Sequence, residues 1–160
     1  MNLAILILED EAEVRAALER DLLPFAETVR LEVASDVEEA WDVVTEINDD
    51  GDVLALALCD HRLPGTTGVE FLVQMMSDDR TAATRKVLVT GQAQLADTVR
   101  AVNEADLDHY IAKPWDVEEL HQVVRTMLTD YVEDLELNPL PFYDALDAQR
   151  AIELSRNIRR

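Results

Sequence analysis

Lysine is almost missing from this chain of 160 residues, which carries only Lys86 and Lys113 among its 14 basic side chains. The acidic side chains number 34, giving a formal charge of −20. A field of that sign repels phosphate backbones and argues against direct nucleic-acid binding. The imbalance is uneven, since residues 1–137 sum to −21 and residues 138–160 to +1. A single cysteine, Cys59, excludes an internal disulfide and a cysteine-rich metal site. It lies inside an apolar run and reads as a small buried hydrophobe. Neither G-x-G-x-x-G nor G-x-x-x-x-G-K-[ST] occurs, so dinucleotide and P-loop fingerprints are both lacking. No apolar stretch approaches membrane-spanning length, and the N-terminus has no basic n-region or cleavage pattern. The expectation is a soluble cytoplasmic protein. His61, His109 and His121 fall at no spacing that a zinc site requires.

What is present is a rhythm. Five short apolar runs recur, at Leu3 to Leu8, Thr28 to Ala34, Val53 to Cys59, Lys86 to Thr90 and Asp108 to Ala112. The first and third lack period-two alternation, as strands covered on both faces do. Stretches with helical spacing separate them: Glu11 to Leu23, Asp36 to Ile47 with Ser35 or Asp36 as cap, Gly68 to Met76 and Ala93 to Asn103. A fifth runs from Asp116 to Leu128 and on to about Leu137. Strand and helix alternating five times predict an α/β fold, a doubly wound five-stranded parallel sheet with helices on both faces. Asn138-Pro139-Leu140-Pro141 then breaks the rhythm, and Phe142 to Arg160 reads as one further helix. That tail is either a helix packed back on its own domain or a linker or dimerisation element.

The ends of the apolar runs carry chemistry. Glu9 and Asp10 close the first, Asp60 the third, Thr90 the fourth, and Lys113-Pro114 follows the fifth. In an open parallel sheet, loops at the carboxyl ends of strands converge on one edge. Two or three carboxylates gathered there repel one another unless a cation joins them, and hard oxygen ligands of this kind suit Mg²⁺. Asp60 is placed to take a phosphoryl group as an acyl phosphate, Lys113 to supply a compact positive charge, and Thr90 to donate a hydroxyl. Taken alone, each has an ordinary reading: Asp60 as a turn residue before Leu63-Pro64-Gly65, Lys113 as a solvated lysine, Thr90 as a β-branched strand residue. Their joint placement favours one phosphate and metal site.

These segments resemble a response-regulator receiver domain of two-component signalling. Ile5 to Glu11 is similar to that family's first strand and acidic pair, and Leu58 to Gly68 to its phosphoacceptor segment. Val87 to Gly91 resembles the switch-threonine strand, and Tyr110 to Trp115 the aromatic and Lys-Pro segment. The likeness covers residues 3 to about 128, which sets the expected division: a receiver domain at 1–128 with a flavodoxin-like fold, and a helical extension at 129–160. The resemblance implies that Asp60 is the phosphoacceptor, that Asp10 binds Mg²⁺ directly, that Glu9 acts through the metal's waters and that the main-chain carbonyl of Arg62 is a further ligand. Thr90 and Tyr110 would be the coupled switch pair.

The implied activity is a signalling switch that catalyses only its own phosphorylation and dephosphorylation. Its partners would be a sensor histidine kinase or phosphotransfer protein and an output protein or domain met by helix four, strand five and helix five. A homodimer is possible. Three features depart from the family pattern: Glu9 stands where aspartate is more frequent, Asn48 to Asp52 lengthens the interval between the acids and Asp60, and Arg62 and Gln92 flank the site. The alternatives are a receiver-like interaction module that works without phosphorylation, and an aspartyl-nucleophile hydrolase. Arg62 argues against the hydrolase, because a second acid is needed at that position.

Overall fold

The structure, a computed structural model, describes residues 1–91 and 95–158, with the backbone alone at 95–98. Five strands follow one another as β1 (Leu3–Leu8), β2 (Arg30–Ala34), β3 (Val53–Cys59), β4 (Arg85–Thr90) and β5 (His109–Ala112). They pair in parallel in the order β2-β1-β3-β4-β5. The helices are α1 (Ala12–Leu22), α2 (Val37–Asp49), α3 (Gly68–Met75), α4 (Leu95–Glu104), α5 (Val117–Asp134) and α6 (Ala148–Ile158). Of the predicted fourth helix, Ala93 and Gln94 lie outside the described residues, as does the flanking Gln92.

The missing alternation in β1 and β3 has a direct cause, because both faces of each strand are covered. Leu3, Ile5 and Ile7 pack with Leu18 and Leu22 of α1 and with Val124 and Leu128 of α5. Ala4, Leu6 and Leu8 pack with Val44 of α2 and Phe71 and Leu72 of α3. Helix starts follow local chemistry. Asp36, Thr67 and Asp116 each accept the main-chain N–H three residues ahead, at 2.8, 3.2 and 3.0 Å. Of the two expected caps for α2, Asp36 is the one used, while Ser35 donates its hydroxyl to Glu39 at 2.8 Å.

Two boundaries differ from the sequence reading for clear physical reasons. Thr28 and Val29 do not begin β2: their N–H groups close a turn on the carbonyl of Phe25 at 3.0 and 2.9 Å. Helix α5 ends at Asp134, three residues short of Leu137, because Glu136 adopts a left-handed backbone with φ of 54°. There the N–H of Leu137 reaches the Val132 carbonyl at 2.9 Å and that of Glu136 reaches Glu133 at 3.1 Å, the pairing of a Schellman stop. The prolines merely follow a helix already terminated.

The tail is also not one helix. Leu140–Ala145 forms a 3-10 turn, Leu146 is extended, and Asp147 caps α6 by accepting the Arg150 N–H at 3.0 Å. The break lets Phe142, Ala145 and Leu146 enter the same apolar core as β1 and α5. Buried Thr129 accepts the Asp147 N–H at 2.9 Å, and Arg125 donates to the carbonyls of Asp144 and Leu146 at 2.8 and 3.3 Å. Arg150 then pairs with Asp130 and Glu133 at 2.8 and 2.7 Å. Residues 138–158 are therefore packed onto α5. Replacing Phe142 by alanine is expected to lower unfolding free energy by about 3 kcal/mol, whereas Tyr143→Ala, on the exposed side, stays within about 0.5 kcal/mol. Equilibrium denaturation of the two variants checks this.

Candidate functional site

Main-chain hydrogen bonds carry the strands past their formal ends and so place the functional side chains. Glu9 donates its N–H to the Ala34 carbonyl, Asp60 to Leu8 and Lys113 to Thr90, at 3.0, 3.0 and 3.1 Å. These bonds bring the ends of β1, β3, β4 and β5 to one edge. Glu9 and Asp60 are buried at 1 % and 6 % exposure, while Asp10 faces solvent. One carboxylate oxygen from each of Glu9, Asp10 and Asp60 lies within 4.8 Å of the others. A trio of hard anionic oxygens that close, with one member open to water, fits a divalent cation such as Mg²⁺.

Lys113 crosses to the acids from the far strand. Its Nζ donates to Glu9 Oε1 and stands 3.5 Å from Asp60 Oδ2. A cleft of about 260 Å³ opens beside it, lined by Glu11, Asp60, Arg62, Thr90, Gly91 and Lys113. Five of the seven residues named in advance thus stand together as carboxylates, ammonium and hydroxyl, and Arg62 lines the same cleft. Tyr110 differs: half-buried on β5, it points its hydroxyl at the Thr90 main-chain carbonyl at a long 3.4 Å, so its link to Thr90 is weak.

Three contributors escaped sequence reading. Glu11 lines the cleft and gives its N–H to Glu9 Oε2 at 3.5 Å. Arg15, one turn into α1, donates to the Glu9 carbonyl at 3.0 Å. Gly68 opens α3 directly against the acceptor segment: a Cβ there would sit 1.9 Å from the Asp60 carbonyl oxygen. The last had a signal in the sequence, a glycine placed just after the Thr67 cap. The other two had none, because they depend on how α1 leaves β1.

Electrostatics follow from burial. The Glu9 carboxyl is pushed up to about 7, first by loss of water and then by the Asp60 charge, against the opposing pull of the Lys113 hydrogen bond and charge. Cys59, fully buried next to Asp60, has its thiol raised out of the reactive range and remains a packing residue.

The family model for the response regulator receiver domain matches residues 5–125. The chain belongs to that family. It is 32% identical over 121 residues to the hydrogenase transcriptional regulatory protein HoxA of Cupriavidus necator, covering 76% of this chain and 23% of that one. It is 29% identical over 128 residues to the sporulation initiation phosphotransferase F of Bacillus subtilis, covering 80% and 95%. A CheY-like receiver domain protein of Methanospirillum hungatei superposes with a TM-score of 0.71 at 25% identity, covering 84% of this chain and 99% of that one. The chain spans about a quarter of the two HoxA relatives, 23% and 24%.

Two outcomes follow. Because the folded Glu9 carboxyl holds its proton more tightly than the unfolded one, the Glu9 contribution to stability without divalent cation falls as pH rises from about 4.5 to about 7. Glu9 contributes at most about 1.4 kcal/mol per pH unit to that fall, and Glu9→Gln removes this share, as urea denaturation at several pH values will show. Gly68→Ala is expected to cost more than about 3 kcal/mol or to displace the Asp60 peptide, read by the same denaturation and by amide shifts of residues 60–62.

Proposed function

We propose that this receiver domain is a phosphorylation-activated switch in which Asp60 takes a phosphoryl group from a histidine kinase or phosphotransfer protein. The observation that carries the reading is the meeting of Asp60, Lys113 and Thr90 in one open cleft beside a metal-competent acid cluster. An Asp60 carboxylate oxygen attacks phosphorus in line. The donor's P–N bond, or the P–O bond of a small acyl phosphate, breaks as the new O–P bond forms; the leaving imidazole takes a proton from solvent, whereas the acyl phosphate releases its carboxylate. Hydrolysis reverses the gain: a water oxygen bonds to phosphorus, the Asp60 O–P bond breaks, and inorganic phosphate leaves. Asp10 and Asp60 would hold Mg²⁺, with Glu9 assisting and the Arg62 main-chain carbonyl as a further ligand. When bound, the metal neutralises the carboxylates and one phosphoryl oxygen.

The chain's own groups do the rest. Lys113 is within reach of both Glu9 and Asp60, so it can exchange the Glu9 carboxylate for a phosphoryl oxygen as charge builds at Asp60. Thr90 lines the cleft, and its hydroxyl would donate to a second oxygen. Because the Tyr110 contact to Thr90 is long, Tyr110 is free to turn inward when Thr90 moves, altering the α4-β5-α5 surface.

The output partner, protein or domain, would read that surface. We place the receiver at 1–128 and the extension at 129–160, in which α6 contributes to self-association or to contact with the output. Among the described residues no helix is long and apolar enough to cross a membrane, and the reading is of a protein working in the cytoplasm beside its kinase. Incubation with acetyl phosphate and Mg²⁺ should add one phosphoryl group to the wild type by intact mass and none to Asp60→Asn, with Lys113→Ala slowed about a hundredfold. Equal labelling of Asp60→Asn contradicts the assignment, and an unlabelled wild type favours an interaction module that works without phosphate.

A further inference from the structure

We propose that Trp115 and Asp21 are positioning residues for Lys113: the Trp115 indole N–H, held by the Asp21 carboxylate on α1, fixes the loop that presents the ammonium to Asp60. This rests on the reading of Asp60 as the phosphoacceptor. The need for such a tether comes from the strand that carries Lys113. β5 is four residues long and lies at the sheet edge, paired with β4 on one side only. Its ladder continues to the Lys113 N–H on the Thr90 carbonyl, 3.1 Å, and cannot pass the next residue, because Pro114 has no N–H to donate. Beyond that point the side chain of Trp115 takes over. Its Nε1–H donates to Asp21 Oδ2 at 2.9 Å, and its ring packs half-buried against the core cluster beneath α1 and α5.

Asp21 is suited to the task because it is held from two sides. It lies in the last turn of α1, where carbonyls lack partners within the helix, and its own carbonyl accepts from Nε2 of His121 on α5. That bond requires the ring proton on Nε2. The His121 ring in turn meets Phe25 edge-on, with centroids 5.4 Å apart. The carboxylate keeps only 12% of its exposure, and its other oxygen meets the largely exposed Arg20 at 3.2 Å. A surface pair of that kind holds little, so the indole bond is the main side-chain hold on the loop ahead of the Asp116 cap of α5.

The geometry links the two halves of the site through one helix. α1 begins directly after Glu9 and Asp10, where Arg15 grips the Glu9 carbonyl at 3.0 Å, and ends at the Trp115 tether. Its eleven residues span about 16 Å, so a single rigid strut sets the spacing between the acids and the lysine loop. Proline between Lys113 and Trp115 fixes one of the few soft torsions separating the tether from the Lys113 backbone. Without the tether, Lys113 samples positions away from Asp60, and the loss falls on the rate at saturating donor rather than on donor affinity.

The test is the rate of phosphorylation at saturating acetyl phosphate and Mg²⁺, on folded full-length chains. Indole is a donor only, so Trp115→Phe removes the bond and keeps an apolar ring, and Asp21→Ala removes the acceptor. Each is expected to slow phosphorylation about three- to tenfold with the half-saturating donor concentration unchanged. Asp21→Asn keeps an acceptor oxygen and should restore a rate within about twofold of wild type, and the double variant should be no slower than either single one. A wild-type rate in Trp115→Phe, or additive slowing in the double variant, overturns the tether while leaving Asp60 as acceptor. An unlabelled wild type overturns the Asp60 reading and the tether with it.

Discussion

Two carboxylates, Glu9 and Asp60, lose almost all of their water in this fold, and Lys113 reaches both. Stripping an ion of water costs several kcal/mol even after relaxation, so one ammonium shared between two acids leaves the edge under-neutralised. The consequence is visible in Glu9, which is pushed up to about 7 despite donating partners in Lys113 and Glu11. Asp10, on the solvent side of the same cluster, adds further negative charge. A divalent cation is the charge that such an arrangement could take up, and on the proposed reading it would also offset the negative charge of an incoming phosphoryl group.

Much of the surrounding structure serves to deliver that ammonium. β5 must lie next to β4, and β4 next to β3, for a lysine at the far end of the chain to meet acids near its start. The crossover order brings Lys113 onto Glu9 and within 3.5 Å of Asp60, with the two acids within 4.8 Å of each other. Gly68 lets α3 begin against the Asp60 peptide, and the Trp115 contact with α1 closes the loop from the other side.

The five strands and the cluster at their ends were legible because each depends on local pattern: an apolar run, then a charged or hydroxyl residue at its carboxyl end. The parts that were not legible depend on distance or on single backbone states. Nothing near Glu136 marks it for the left-handed conformation that stops α5, and Leu146 reads as one more helical residue until the core it enters is known. Arg15, Asp21 and Trp115 act between elements, and sequence spacing carries no information on which helix end meets which loop. The match to the family stops at residue 125, inside α5, yet the apolar core continues through Phe142 and Leu146 to Ala151. The tail's balance of charge, close to neutral in a strongly acidic chain, is spent partly in the Arg150 pairs that fasten α6 to α5.

The central claim, that Lys113 and a divalent cation share the work of neutralising the buried acids, is tested most directly by equilibrium unfolding of wild type and Lys113→Met at pH 8, above the wild-type Glu9 value of about 7, with and without Mg²⁺ at matched ionic strength. Loss of the ammonium should cost about 3 kcal/mol without the metal, and Mg²⁺ should restore most of it. A Lys113→Met protein as stable as wild type without Mg²⁺, or one that Mg²⁺ helps no more than matched sodium chloride, would contradict the account.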